Sequence, residues 1–183
     1  MVRPPKSVQV KLDLKVLAVT GTWEPNDAER AAAWELYVEL ITRAAAVPLE
    51  NGLLREAMSS LYSLFGTVRE VLRRYGPQVA EPRRDGSYNL GYLLVVMVNY
   101  AIRPVLSYWH PQLQSWEHIR RTDVSPLDHE RAWEHYADLR AVLADCRDHL
   151  AIYADLLATA CGVPDLRAAI PPPPSNYRSK KTR

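Results

Sequence analysis

From Ser7 to Val16 apolar and polar residues alternate, with Val8, Val10, Leu12, Leu14 and Val16 on one side and Gln9, Lys11, Asp13 and Lys15 on the other. A period of two marks a half-buried β-strand, because successive strand side chains point to opposite faces. Leu17 to Thr20 continue the pattern, which predicts one strand over 8–20 ended by Gly21. The period then lengthens. Asn26 with Glu29 three residues later reads as a capping box, and Trp34, Tyr37, Val38, Ile41 and Ala45 follow at helical spacing, giving a first helix over 26–46 before Val47-Pro48. Leu54, Met58, Leu61, Phe65, Val68 and Leu72 form the stripe of a second helix over 53–75, which Gly76-Pro77 stops.

A polar loop leads into YNLGYLLVVMVNYAI, apolar nearly all round, the mark of a helix buried on most sides. This third helix is expected over 88–117, kinked or broken near 103–111 because Pro104 and Pro111 each remove a backbone donor. The fourth starts with Ser125 as N-cap and Pro126 at the first helical position; Trp133, Tyr136, Leu143, Cys146, Leu150, Tyr153 and Leu157 carry one rod to Cys161, before Gly162 and Pro164. At 1.5 Å per residue that rod is roughly 50 Å long and spans a domain. The expected fold is therefore mainly all-α: a bundle of four main helices with one N-terminal β-strand, a single domain over 1–170. Residues 171–183, PPPPSNYRSKKTR, are Pro-rich and basic, and are expected to stay disordered.

Composition sharpens the picture. A chain of 183 residues can bury roughly two-thirds of its unfolded surface in one core. The net charge of +2 owes its sign to the tail: Arg178, Lys180, Lys181 and Arg183 set apart, 19 basic residues face 21 acidic ones. Lys11, Asp13 and Lys15 interrupt any signal-like run near the start, and Leu90 to Ile102 falls short of the roughly 20 residues a bilayer requires. A cytoplasmic protein without a membrane partner is expected, with Cys146 and Cys161 reduced in its core.

The chemistry that can be sought is sparse. None of the five histidines follows a Glu by three positions, as bundled di-iron sites require. In HERAWEH, His129 and His135 are six apart where a zinc helix needs four, so they point to different sides. Asp145 and His149, one turn apart, read as a surface contact. No Gly-rich phosphate loop and no nucleophile elbow occurs. No cofactor and no metal is expected.

Arg103 and His110, in RPVLSYWH, have six residues between them, and on a continuous helix they would share a face. This spacing in a helical bundle resembles the Arg-x(4 to 6)-His motif of HEPN domains, helical bundles of bacterial toxin and defence systems, many of them metal-independent ribonucleases acting as dimers. The resemblance implies RNA as substrate, His110 as general acid/base and Arg103 as the phosphate-stabilising partner. Histidine suits that work because its ordinary pKa lies near physiological pH.

Ten Tyr and five Trp against one Phe suggest surfaces that are wet in one state and covered in another. Trp109 and Trp116 are the best patch candidates, although core packing is the leading single explanation for both. The strand at Val8, Val10, Leu12 and Leu14 has no evident partner elsewhere in the chain, and pairing across a subunit boundary is expected, with its own copy in a homodimer or with a partner protein; pairing with Leu17 to Thr22 is the alternative. With no motif of high specificity, the leading expectation is a non-enzymatic protein-interaction module, an adaptor, sensor or regulatory subunit of a cytosolic bacterial system such as one of defence; the ribonuclease is the alternative.

Overall fold

A computed structural model of the protein describes residues 4–14, 17–43 and 52–169. The expected tail over 171–183 and the end of the first helix, 44–46, lie outside the described residues. The described chain is mostly helical, with a two-stranded sheet at its N-terminus.

β1 (Val8–Asp13) and β2 (Ala18–Trp23) form an antiparallel hairpin that pairs Val8 with Trp23 and Leu12 with Val19. The expectation of a strand without an internal partner is thereby corrected. Leu17 to Thr20, which continue the alternation of the first strand, belong to its return, and the connection, Lys15 and Val16, carries none of the Gly, Asn or Asp residues that announce a tight turn. Val8, Val10, Leu12 and Leu14, expected at a subunit boundary, are buried in this chain's own core, together with Val19 and Trp23.

α1 (Asp27–Thr42) starts on the expected capping box: the Asn26 side chain accepts from Glu29 N at 2.8 Å and Glu29 Oε2 accepts from Asn26 N at 2.7 Å. α2 (Leu54–Tyr75) has Leu53 at its N-cap, which offers no side-chain acceptor. Glu130 supplies one from a distant part of the chain, accepting from Leu54 N at 2.7 Å and Arg55 N at 3.2 Å. The third helix begins with Asn89 as cap and runs as α3 (Leu90–Val96), a π-helical turn (Met97–Ile102) and α4 (Arg103–His118).

No break occurs at the prolines. The ladder switches to five-residue bonds ahead of Pro104, with Arg103 N donating to Val98 O, so the missing proline donor falls where the regular ladder is already interrupted. The full rod, Leu90–His118, has the length and apolar composition to cross a membrane; 56% of its most apolar window is buried inside this fold. It is also less enclosed than its sequence suggests, because Tyr92, Val95 and Tyr100 reach the surface.

The last helix is two. α5 (Pro126–Arg131) begins on the Ser125 cap, and α6 (Tyr136–Cys161) follows after a turn in which Trp133 N bonds Glu130 O at 3.1 Å and Tyr136 N bonds Trp133 O at 3.0 Å. The turn lets Glu130 point into the fold at the start of α2 while Trp133 is buried beside it in sequence. α6 is the spine: it packs most extensively on α1 and also meets β1, the π turn and α4, while α2 packs between α1 and α4. Gly162 ends it at φ 67°, where a Cβ would also press on Pro4 at 2.7 Å.

Candidate functional site

Because α4 is continuous, the seven-residue spacing acts as geometry: Arg103 and His110 stand on one face of it and line one cavity of about 350 Å³. The opposite wall is α2, which contributes Tyr62 and Phe65; Leu106, Ser107 and Pro111 complete the lining. A second cavity of about 440 Å³ continues along the same helix pair, lined by Phe65, Arg69, Leu72, Val95, Val98 and Asn99 among others, and Arg103 borders both. The two form one groove between α2 and the third helix.

The groove is apolar and cationic. The Arg103 guanidinium lies over the Phe65 ring, 5.2 Å from its centre, and its Nε donates to Asn99 Oδ1 at 2.8 Å. Asn99 sits on the π turn and is itself held by a bond from its Nδ2 to Val95 O at 2.8 Å. Among the described residues, neither Arg103 nor Arg69 forms an ion pair, and no carboxylate lines either cavity. Tyr62 is 71% exposed. Ser107 Oγ is turned back to Pro104 O at 3.4 Å.

The tryptophan patch resolves differently. Trp116 stacks on His129 with ring centres 4.5 Å apart, and each donates to the other's carbonyl at 2.8 Å, so Trp116 fastens α4 to α5. Trp109 packs edge-on against the buried Trp133 at 6.1 Å and against His135 at 6.0 Å. Both tryptophans are half-buried and hold the turn between α5 and α6 in place, instead of flanking a break. His129 and His135 belong to separate elements, and among the described residues no three metal-binding side chains converge.

Asp145 and His149 make the expected one-turn contact, at 3.7 Å. His149 Nε2 also donates to Asp13 O at 2.9 Å, which ties α6 to the end of β1. Cys146 is buried with its thiol toward Ala101 O at 3.4 Å; burial pushes it up to about 12, and Cys161 up to about 11. A raised thiol pKa leaves little thiolate, the nucleophilic form, at neutral pH.

Sequence reasoning missed the α2 wall, Tyr62, Phe65 and Arg69, since a pairing between helices leaves no local signal. It also missed two buried carboxylates. The capping box accounts for Glu29 in the sequence without its burial, and the signal that could have shown it is Trp23 close by, whose indole N–H needs a partner. No family model, curated protein or solved structure matches this chain.

Proposed function

We infer that this protein is a non-enzymatic interaction module whose groove between α2 and α4 takes an acidic amphipathic segment of a partner protein. The observation that carries this reading is the pairing of an open apolar floor with two cations, Arg69 and Arg103, that meet no carboxylate among the described residues. Apolar side chains of a helix would lie along Phe65, Leu72 and Leu106, while its acidic ones would approach the two guanidinium groups. The probe is a labelled fifteen-residue amphipathic helix of Leu and Glu, followed by fluorescence anisotropy beside a Leu and Lys control. Binding of the acidic helix alone, weakened at least tenfold by Arg103→Glu and by added salt, is the expected result. Equal binding of both helices, or no effect of Arg103→Glu, would overturn it.

One observation favours a second reading: Arg103 and His110 line a single cavity, as the HEPN resemblance requires. A ribonuclease would use His110 to move the proton of a ribose hydroxyl and Arg103 to hold the phosphate. Incubation with labelled RNA in EDTA separates the readings. Cleavage by the wild type that disappears in both Arg103→Ala and His110→Ala would establish the enzyme.

A further inference from the structure

The hairpin has two outer edges, and the chain treats them unequally. Leu14 N donates to Leu17 O at 3.0 Å, which makes Leu14/Leu17 a hydrogen-bonded pair; by alternation Leu12/Val19, Val10/Gly21 and Val8/Trp23 are hydrogen-bonded pairs too. The N–H and C=O groups of Gln9, Lys11 and Asp13 on β1, and of Ala18, Thr20 and Thr22 on β2, therefore point outward. Two bonds agree with this parity: Tyr88 N donates to Thr22 O at 2.7 Å, and His149 Nε2 to Asp13 O at 2.9 Å.

On the β2 edge Tyr88 takes two of the outward acceptors, Thr22 O through that backbone bond and Thr20 O through its hydroxyl at 3.4 Å. On the β1 edge only Asp13 O is taken, by His149. Gln9 and Lys11 are exposed, and their outward backbone groups meet no partner among the described residues. Beside this edge runs a groove of about 420 Å³, with Val8, Gln9 and Lys11 among its strand-side residues and Ile152, Leu156 and Asp155, the last paired with Arg167, among those of α6. Ile152 is 41% exposed there.

We propose that the β1 edge and α6 form a peptide-binding groove, in which an extended segment of a partner protein adds to the sheet as a third strand. The backbone of Gln9 and Lys11 supplies two donors and two acceptors at strand spacing, which only another strand matches. Alternate side chains of the added strand turn toward Ile152 and Leu156, so the segment must carry apolar residues at every second position. A second copy of this chain is the occupant that the dilution arm of the experiment separates from a partner segment. The site shares with the proposed function only the reading that the chain binds protein, and its residues are separate from Arg103 and Phe65.

The probe is the tightest binder from a displayed library of random octapeptides, selected on the full chain. Its expected pattern is apolar residues at alternate positions. Proline is tolerated at an outward-facing edge position because no ladder bond is lost, so Gln9→Pro and Lys11→Pro should keep the fold by circular dichroism. Each should weaken peptide binding at least tenfold, as should Ile152→Asp, whereas Arg103→Glu should leave it unchanged. The backbone amides of Gln9 and Lys11 should exchange quickly in the free protein and slow when the peptide is added. Binding that survives all three edge and wall variants would overturn the proposal. So would slow exchange of those amides in the free protein, whether it is lost on dilution, which would assign the edge to a second copy, or lost on deleting residues 170–183, which would assign it to the chain's own end.

Discussion

Removing the Glu29 carboxylate should cost this protein more than any surface charge does. The group is fully buried and holds together parts of the chain far apart in sequence. Oε1 accepts from Trp23 Nε1 at 3.2 Å and Leu90 N at 2.9 Å; Oε2 accepts from Asn26 N at 2.7 Å and pairs with Arg83. In Glu29→Ala the Arg83 charge loses its counter-ion, a loss that costs about 3–5 kcal/mol at buried pairs. The indole and the two backbone N–H groups are stranded as well, at about 1–3 kcal/mol for each one fully desolvated. These terms overlap, because water entering the space would serve several donors at once. A loss of about 4–6 kcal/mol is expected, which at about 2–4 °C per kcal/mol for a chain of this size lowers Tm by about 10–20 °C. Glu29→Gln keeps one oxygen but turns an amide N–H toward donors, and should lose about half as much. Urea unfolding gives the midpoint shift at fixed slope. Asp123→Ala, which removes only the exposed pair with Arg121, serves as control and should stay within about 0.5 kcal/mol of wild type. A Glu29→Ala protein within about 1 kcal/mol of wild type would refute the reasoning.

Three further outcomes follow from the same structure. Burial that raises Cys146 to about 12 and Cys161 to about 11 should make both thiols far slower toward iodoacetamide in the native protein than in guanidinium, as mass spectrometry of alkylated peptides would reveal; rapid native labelling of Cys146 would contradict its packing against Ala101. The Tyr153 hydroxyl is buried and meets no hydrogen-bond partner among the described residues, so Tyr153→Phe should be neutral or add up to about 1 kcal/mol in urea unfolding, and a loss above about 1 kcal/mol would show an important bond there. Burial raises Glu130 above the ordinary 4.5, although the N–H groups of Leu54 and Arg55 pull the other way. A raised carboxyl favours its protonated form in the fold, so its contribution is fully present below 4.5 and declines as pH rises through the raised value. Glu130→Gln should flatten that decline in urea midpoints taken across mildly acidic to neutral pH.

The elements that were legible in the sequence are those whose causes are local. Asn26 and Glu29 close a capping box within one turn, Ser125 caps α5 by accepting from Asp128 N at 3.1 Å, and Gly162 takes the left-handed conformation that ends α6. The elements that were not legible depend on partners far along the chain. Nothing near Lys15 announces the hairpin, because its register is set by burying Val8, Val10 and Leu12 against α6. The turn at 132–135 lies in a stretch with helical spacing throughout, and it exists because Glu130 is drawn to the start of α2 and Trp133 to Trp109. Pro104 reads as a helix breaker until the π turn before it is seen to have interrupted the ladder already. In the groove, the shared face of Arg103 and His110 followed from a spacing of seven on one helix, whereas Phe65 beneath Arg103 required two helices to meet.

The charge inventory of the folded chain bears on what that groove can hold. Among the described residues several acidic groups are taken by arginines of the same chain: Glu29 by Arg83, Glu35 by Arg74, Glu39 by Arg43, Glu117 by Arg55 through two nitrogens, and Asp155 and Asp165 by Arg167. Glu130 is spent on backbone N–H groups. Arg69 and Arg103 are outside this pairing, and Arg103 rests on an aromatic face, which orients a guanidinium without neutralising it. An unneutralised cation above an apolar floor attracts an anionic group and strengthens its hold as the partner excludes water. Salt should therefore slow association with the groove, while loss of Phe65 should speed dissociation. An interaction sensitive to neither would place the binding surface elsewhere on the molecule.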